Sequence, residues 1–374
     1  MASADGASPD VKSPTERNLK QVVLGDLLFK AWYQSIYPED LVSKDTDRLY
    51  VCCWCFCYSC DVNSHVKHMR LCEHRTTPPG AQVYEHGGYS VWEVDGEEHK
   101  LYAQNLSLFA KLFLDHKSVF FDVATFLYYI LTFTDPENPE KYHILGFFSK
   151  EKLSWDANNL ACILVFPPYQ HKQLGKLLMG VSYKISAWEE DAGSIGGPEK
   201  PLSDMGARSY SRFWQERIGR RLLSGDTDGS VQETQPVKES RKRHSSTFMT
   251  VRDIGQATGM LTEDVITALR GMGVVQPETP SKRRKVKQAA DEPDHYVTIR
   301  KSDLLRWMES RKVPLLDPVR DDRFVGRWAL RDTLDENNSS AGEGEEEEGE
   351  EEEGEEEEGE EEEGEEDEEG SHIA

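Results

Sequence analysis

Six of the seven cysteines fall within LYVCCWCFCYSCDVNSHVKHMRLC, Leu49 to Cys72, and their spacing suits a metal ion. Cys52, Cys55, His68 and Cys72 read Cys-x2-Cys-x12-His-x3-Cys. Two thiolates on a tight knuckle, and a His/Cys pair four residues apart on one helix face, converge as a closed tetrahedral site for Zn2+. A closed site leaves no position open for substrate, so the metal is expected to be structural. Cys57 and Cys60 form a rival Cys-x2-Cys, but eleven residues separate Cys60 from Cys72, short for a strand-turn-helix finger. They stand as the alternative ligands; otherwise Cys53, Cys57 and Cys60 are spare thiols.

A second chemistry is suggested by ACILVFPPYQHKQLGKLLMGVSYKI, Ala161 to Ile185, an apolar strand, a polar loop with one glycine, then a helix. Unpaired N–H groups and the helix dipole point at such a loop, an arrangement that binds anions. Taken alone, the loop reads equally as an ordinary strand-helix connection.

These groups need elements to hold them. TFLYYILTF and YHILGFFS flank TDPENPEK, whose Asp-Pro and Asn-Pro steps favour a turn, so they are predicted to form an antiparallel hairpin. NLACILVF is almost continuously apolar and predicts one buried strand. Leu174, Leu177, Leu178, Val181, Ile185 and Trp188 recur at helical spacing and lay one stripe on a sheet. Helix starts at Thr250 and Thr262, with ATGM between two amphipathic segments, predict a helix-turn-helix, whose role is either structural or DNA-contacting. The basic run Lys282, Arg283, Arg284, Lys285 and Lys287 reads as a nuclear localisation signal, a nucleic-acid contact or a solvated loop.

The formal charge of −25 is a property of one segment: 22 acidic residues lie between Glu343 and Glu369, leaving −3 on the remainder. That tail is predicted to be disordered, either a competitor for basic partners such as histones or a solubilising extension. The start of the chain lacks the apolar core of a secretory signal, and Val119 to Phe133 is interrupted by Asp122 and too short to span a bilayer. The expectation is a soluble intracellular protein with no membrane association.

LYVCCWC with the spacing above, HKLYAQNLSLFAKLFLDHKSVFFDV, HILGFFSKEK, NLACILVFPPYQHKQLGKLL and GPEKPLSDMGARSYSRFW together resemble the MYST family of histone acetyltransferases. The resemblance runs almost continuously from about Leu24 to Leu222. The insertions and the ending KSDLLRWMESRKVPLLDPVRDDRFVGRWAL make the chain most similar to the fungal something-about-silencing branch. It implies an α+β fold with a GNAT-like mixed sheet core, a C2HC zinc finger before it and a helix-turn-helix after it. The implied divisions are a disordered start 1–20, a subdomain 21–98 holding the finger at 49–74, a catalytic core 99–222, and a linker 223–246. A C-terminal subdomain 247–330 with a basic insertion 276–294 and the tail 331–374 complete it.

The resemblance also implies chemistry. Acetyl-CoA is the co-substrate, with Gln170, His171, Lys172, Gln173, Leu174, Gly175 and Lys176 wrapping its pyrophosphate. The family pattern is Gln-Arg-x-Gly-x-Gly, so His171 stands for an arginine and Gln173 for the first glycine. If position 173 needs positive φ, the substitution costs about 1 kcal/mol. The acceptor amine, with a pKa of about 10.4, must lose a proton, and charge growing on the thioester oxygen must be stabilised. Glu199, between Pro198 and Pro201, matches the family's general base; from spacing alone it is a loop carboxylate. Backbone N–H groups of Ile163, Leu164 and Val165 face the thioester. Cys162 matches an active-site cysteine, or is an inert small hydrophobe of a buried strand, and direct attack by lysine is the mechanism expected. Ser203 contacts CoA or caps the following helix, and a second family serine is Arg212 here. Lys117 aligns with a self-acetylated lysine; by spacing it is a surface lysine. A histone tail or nucleosome is the implied substrate, within a multi-subunit chromatin complex in the nucleus, with DNA contact secondary. A scaffold that keeps the fold but has lost cofactor binding, and a zinc-dependent DNA-binding factor, are the alternatives.

Overall fold

Tyr128, Ile130, Ile144 and Phe147 are buried on one side of the central strands, and Tyr129, Leu131, Leu145 and Phe148 on the other. Strands covered on both faces read as unbroken apolar runs, which is why no polar alternation shows in this part of the sequence. The computed structural model describes residues 19–42, 46–189, 195–224, 246–276 and 296–329, all within one unit, Met1–Leu330. The acidic tail, the basic run Lys282 to Lys287 and nearly all of the two linkers lie outside the described residues.

Strands β1 (Gln21–Leu24), β2 (Leu27–Lys30), β3 (Arg48–Val51) and β4 (Tyr58–Ser59) form a small sheet in the order β2-β1-β3-β4. Helix α1 (Val62–Leu71) follows, started by Asp61, whose carboxylate accepts the Ser64 N–H at 2.8 Å. Next come β5 (Ala81–His86), β6 (Tyr89–Asp95), α2 (Lys100–Lys111), β7 (Phe126–Thr134), β8 (Tyr142–Glu151), β9 (Asn158–Leu160) and β10 (Cys162–Val165). All but β9 among these strands join one antiparallel sheet, ordered β10-β8-β7-β6-β5. This sheet crosses the division placed at residue 98, because β5 and β6 pair onward into β7.

The β7–β8 hairpin is as the sequence predicts, with Asp135 accepting the Glu137 N–H in its turn at 3.0 Å. The register shifts after Leu131, and this bulge resets the alternation, so that Leu145 and Phe148, three residues apart, share a face. Beside it, a Cβ on Gly146 would lie 2.4 Å from the Leu164 carbonyl oxygen, so only glycine lets β10 approach β8 here.

The predicted single strand over NLACILVF is two. The chain breaks at Ala161: β10 continues the large sheet, while β9 pairs in parallel with β11 (Gly197–Pro198), and α3 (Leu174–Trp188) stands between them in sequence. Apolar content predicted burial but carried no signal for this parting. Helix α3 buries Leu174, Leu178, Val181 and Ile185 as expected. It packs with α4 (Asp204–Ser224) through Tyr183 and Phe213, ring centroids 5.4 Å apart.

The C-terminal part holds β12 (Ser246–Thr250), α5 (Val251–Thr258), α6 (Thr262–Met272), β13 (Tyr296–Arg300) and α7 (Lys301–Arg311). Thr250 and Asp253 form a reciprocal capping box at the start of α5, and Gly259 in the left-handed region ends that helix. Strands β12 and β13 pair antiparallel beside the helix-turn-helix. Val265, Ala268, Leu269 and Met272 of α6 are buried in the same core as α3 and α4. The segment after α7 returns to the sheet, with Phe324 bridging Tyr84 and Arg327 paired with Glu93 at 2.6 Å. Among the described residues no helix is long and apolar enough to cross a membrane.

Candidate functional site

The metal ligands converge. One donor atom from each of Cys52, Cys55, His68 and Cys72 lies within 4.8 Å of the others. The Cys52 and Cys72 sulfurs are 3.8 Å apart, the edge expected of a tetrahedron with Zn–S bonds of about 2.3 Å. The Cys55 sulfur lies 3.2 Å from His68 Nε2. This donor set fits zinc, and Cys57 and Cys60 are exposed and outside it. One detail differs from expectation: α1 stops at Leu71, and Cys72 is its C-cap in extended conformation rather than a helical residue. The knuckle closes through the Cys52 N–H to the Cys57 carbonyl at 2.8 Å, with Phe56 at φ +60°.

The parting of β9 and β10 makes the second site. The Glu199 N–H donates to the Leu160 carbonyl at 2.9 Å, so the turn after β11 is hung beside the point where the chain passes into β10 at Cys162. Lys117, expected at the surface, is buried at 7% exposure and feels the charges of both Cys162 and Glu199. Its burial pushes the ammonium below its ordinary pKa, while those two groups pull it back up. Partial desolvation pushes the Glu199 carboxyl up, Glu151 at the end of β8 pushes it further, and Lys117 opposes. Spacing gave no reason to single out Glu151; its only sequence signal was its place at the end of a strand.

The Glu199 turn is buttressed from the helix-turn-helix. The Gly196 N–H donates to the Gly259 carbonyl at 3.1 Å, and Gly196 bridges Met260. Lys200 pairs with Asp264 at 2.7 Å and with Glu263. Asp264 is 3% exposed, and burial pushes its carboxyl up against the opposing charge of Lys200. A Cβ on Gly197 would lie 2.9 Å from Asp264 Oδ2, so α6 packs directly on the turn. The outer face of α6 shows Glu263, Thr267 and Arg270, one cation beside one carboxylate, a poor surface for phosphates.

Strand β10 is an edge strand, paired with β8 on one side and without a ladder partner on the other among the described residues. Along Ile163, Leu164 and Val165 alternate backbone groups therefore face the free side rather than the ladder with β8. The loop after it stands on Gln170, whose side-chain amide donates to the Val165 carbonyl at 2.9 Å. His171, Lys172 and Gln173 are exposed, while Leu174 anchors the first turn of α3 in the core. His171 at φ +65° and Gln173 at φ +62° both sit in the left-handed region. A Cβ on Gly175 would meet nothing within 4 Å, so the helix start is unobstructed. Lys176 is engaged with Glu216 at 2.5 Å, and the Ser203 hydroxyl accepts the Gly206 N–H at 3.1 Å as the cap of α4. Arg212 is exposed on α4.

Position 173 thus has the backbone a glycine would favour, and glutamine adopts it at a cost of about 1 kcal/mol. Gln173→Gly is expected to raise the melting temperature by about 1–3 °C in a thermal-shift assay. Since the loop already holds this conformation, acetyl-CoA affinity measured by calorimetry should change less than about threefold, under the roughly 1 kcal/mol the strain is worth. A lower melting temperature would show that the glutamine side chain outweighs the strain.

Residues 77–306 match the MOZ/SAS family, and residues 16–72 match the MYST family zinc finger domain. The chain is 41% identical over 254 residues to the Histone acetyltransferase Tip60 homolog of Caenorhabditis elegans, covering 68% of this chain and 50% of that protein. It is 38% identical over 258 residues to Histone acetyltransferase MOF of Drosophila melanogaster, covering 69% and 28%. To Histone acetyltransferase esa-1 of Neurospora crassa it is 36% identical over 292 residues, covering 74% and 53%. The matched region therefore spans between 28% and 53% of these relatives. With the MOZ/SAS match covering more than half of the sequence and a cysteine-histidine cluster of zinc geometry beside it, this chain belongs to the MYST family.

Proposed function

We propose that this protein is a lysine acetyltransferase that moves the acetyl group of acetyl-CoA to the ε-amine of a histone tail lysine. The observation that carries the reading is the convergence of Glu199, Cys162 and Lys117 where β9 and β10 part. Glu199, its carboxyl raised above the ordinary value by partial burial, takes the proton of the incoming amine. The neutral amine nitrogen then attacks the thioester carbon, forming the C–N bond as the C–S bond breaks, and the departing thiolate takes up the second proton lost from that nitrogen. Those backbone N–H groups within Ile163 to Val165 that face the free edge of β10 stabilise the carbonyl oxygen as charge grows there. The loop from Gln170 to Lys176 receives the pyrophosphate, with Lys172 as an exposed cation and His171 as an exposed polar side chain. Cys162 lines the reacting centre, and Ser203 serves chiefly as the cap of α4. Zinc is structural.

Burial enlarges the neutral fraction of Lys117 against the opposing pull of Cys162 and Glu199, which supports reading it as a site of self-acetylation. A histone substrate, a nuclear location, membership of a multi-subunit chromatin complex and a secondary role for DNA complete the proposal. The ending from Lys301 to Leu330 supports placing it in the something-about-silencing branch. The scaffold alternative rests on Gln173, which already adopts the loop's conformation.

The test is mass spectrometry of histones incubated with acetyl-CoA and purified protein, wild type against Glu199→Gln. Lysine acetylation by wild type alone is expected. No acetylation by either, with acetyl-CoA binding absent in calorimetry, would return the protein to the scaffold class.

A further inference from the structure

Among the described residues Trp155 is the most exposed large apolar side chain, at 101%, followed by Leu153 at 87%. Both belong to the loop 152–157 between β8 and β9, and that loop is tied down. The Lys152 N–H donates to the Thr125 carbonyl at 2.9 Å, and the Lys152 ammonium pairs with Asp95 at 2.8 Å. The Asn158 N–H donates to the Ser154 hydroxyl at 3.2 Å, and Ala157 accepts φ +53°. A bound-down loop that holds two large apolar groups in water has no folding gain from them, and exposed tryptophan is the residue most enriched at binding hot spots.

The loop also borders the reacting centre. It leaves β8 at Glu151, whose charge acts on Glu199, and enters β9, where Asn158 pairs with Gly197 two residues before Glu199. A Cβ on Gly196 would lie 2.8 Å from the Ala157 carbonyl oxygen. Trp155 stands three residues before Asn158, which is at most about 10 Å of chain. Carboxylates flank it along the chain: Glu151 four residues before Trp155 and Asp156 one residue after it, with Glu199 following the strand that pairs with β9. The one cation of the loop, Lys152, is already shared between Asp95 and Glu97.

We infer that Leu153 and Trp155 form a docking surface for the basic peptide that carries the acceptor lysine, with a flanking lysine or arginine of that peptide lying on the indole face. The occupant follows from charge and ring chemistry together: a cation is attracted by the indole quadrupole and by a segment whose acidic residues, Glu151 and Asp156, flank the tryptophan while its one cation is already paired. The inference rests on the acetyltransferase reading and adds to it a determinant of which peptide is accepted.

Steady-state kinetics with a basic tail peptide and with a minimal acceptor, Nα-acetyl-lysine methylamide, test it in the full-length protein. Trp155→Ala is expected to raise KM for the tail peptide about five- to tenfold, the scale of a partly desolvated cation–π contact. Its kcat, its KM for acetyl-CoA and its kcat/KM for the minimal acceptor should stay within about twofold, under a 0.5 kcal/mol change. Trp155→Phe should restore most of the peptide KM and Trp155→Leu should not, because only the former keeps an aromatic face. Equal peptide KM in wild type and Trp155→Ala, or full restoration by leucine, overturns the proposal. Anisotropy of a labelled tail peptide gives the affinity without turnover. If wild type binds the peptide but acetylates neither acceptor, the acetyltransferase reading fails, while a weaker Trp155→Ala complex still upholds the surface. If wild type neither binds nor acetylates, both fall.

Discussion

Glu199→Gln is expected to lower kcat/KM for peptide acetylation by about 10²- to 10³-fold at neutral pH, the range set by removing a positioned general base. The fold should survive, since the Glu199 bond to Leu160 is made by its backbone N–H, which glutamine keeps. The pH profile separates a base from a merely polar neighbour. In wild type, activity should rise as the Glu199 carboxyl ionises, at a pH above the ordinary carboxylate range, because partial burial and Glu151 both raise it. In Glu199→Gln that limb disappears, and the rate should instead follow the deprotonation of the amine, about tenfold per pH unit toward its pKa of about 10.4. The deficit therefore shrinks as pH rises. Two neighbours give opposite signs: Glu151→Gln removes a like charge and should move the acidic limb to lower pH. Lys117→Gln removes the charge that holds the carboxyl down and should move the limb to higher pH. Acetylation of Lys117 removes the same charge and should act in the same direction. Rates of wild type and Glu199→Gln within about threefold at every pH would remove Glu199 from the mechanism, since a loss of under 1 kcal/mol is too small for a base.

The parts of this site readable in the sequence are those set by local spacing. The metal ligands are legible because thiols and imidazoles at fixed intervals have few other uses, and the β7–β8 hairpin because Asp-Pro and Asn-Pro restrict the chain locally. Helix α3 is legible because its apolar stripe repeats with the helical period. What stayed hidden depends on contacts far apart in sequence. Ala161 gives no local sign that the chain leaves one sheet for another; that parting is imposed by β11 pairing to β9 from nearly forty residues away. The surroundings of Lys117 were hidden for the same reason: the groups that act on its charge, Cys162 and Glu199, lie far along the chain. The buttress from Lys200 to Asp264 spans 64 residues and joins two divisions that the sequence separates. Glu199 itself was nameable only by resemblance, and the structure adds the environment that gives a loop carboxylate an altered proton affinity.

Removing the metal tests whether zinc holds more than its own knuckle. The finger's strands have four residues or two, too short to hold their own core, and Leu49, Val51 and Phe56 are buried instead in one cluster with α2. Phe56 is fully buried and packs on Tyr102, Phe109 and Phe166, with ring centroids 5.6, 5.6 and 5.8 Å away. Phe166 directly follows β10, so the knuckle is linked through one ring to the proposed cofactor strand. Without metal the knuckle loses its closure, and releasing Phe56 costs on the scale of a buried Phe→Ala change, about 3–5 kcal/mol. That is a large share of the roughly 5–15 kcal/mol that stabilises an ordinary protein. Chelation, or Cys52→Ala, is therefore expected to lower the melting temperature by about 10 °C or more and to weaken acetyl-CoA binding with it. Elemental analysis should find one zinc per chain in wild type, none in Cys52→Ala or Cys72→Ala, and an undiminished one in Cys57→Ser and Cys60→Ser. Those serine variants decide between the two ligand sets, because both thiols lie outside the cluster. An unchanged melting temperature after complete zinc loss would show that the aromatic packing around Phe56 holds the finger without its metal.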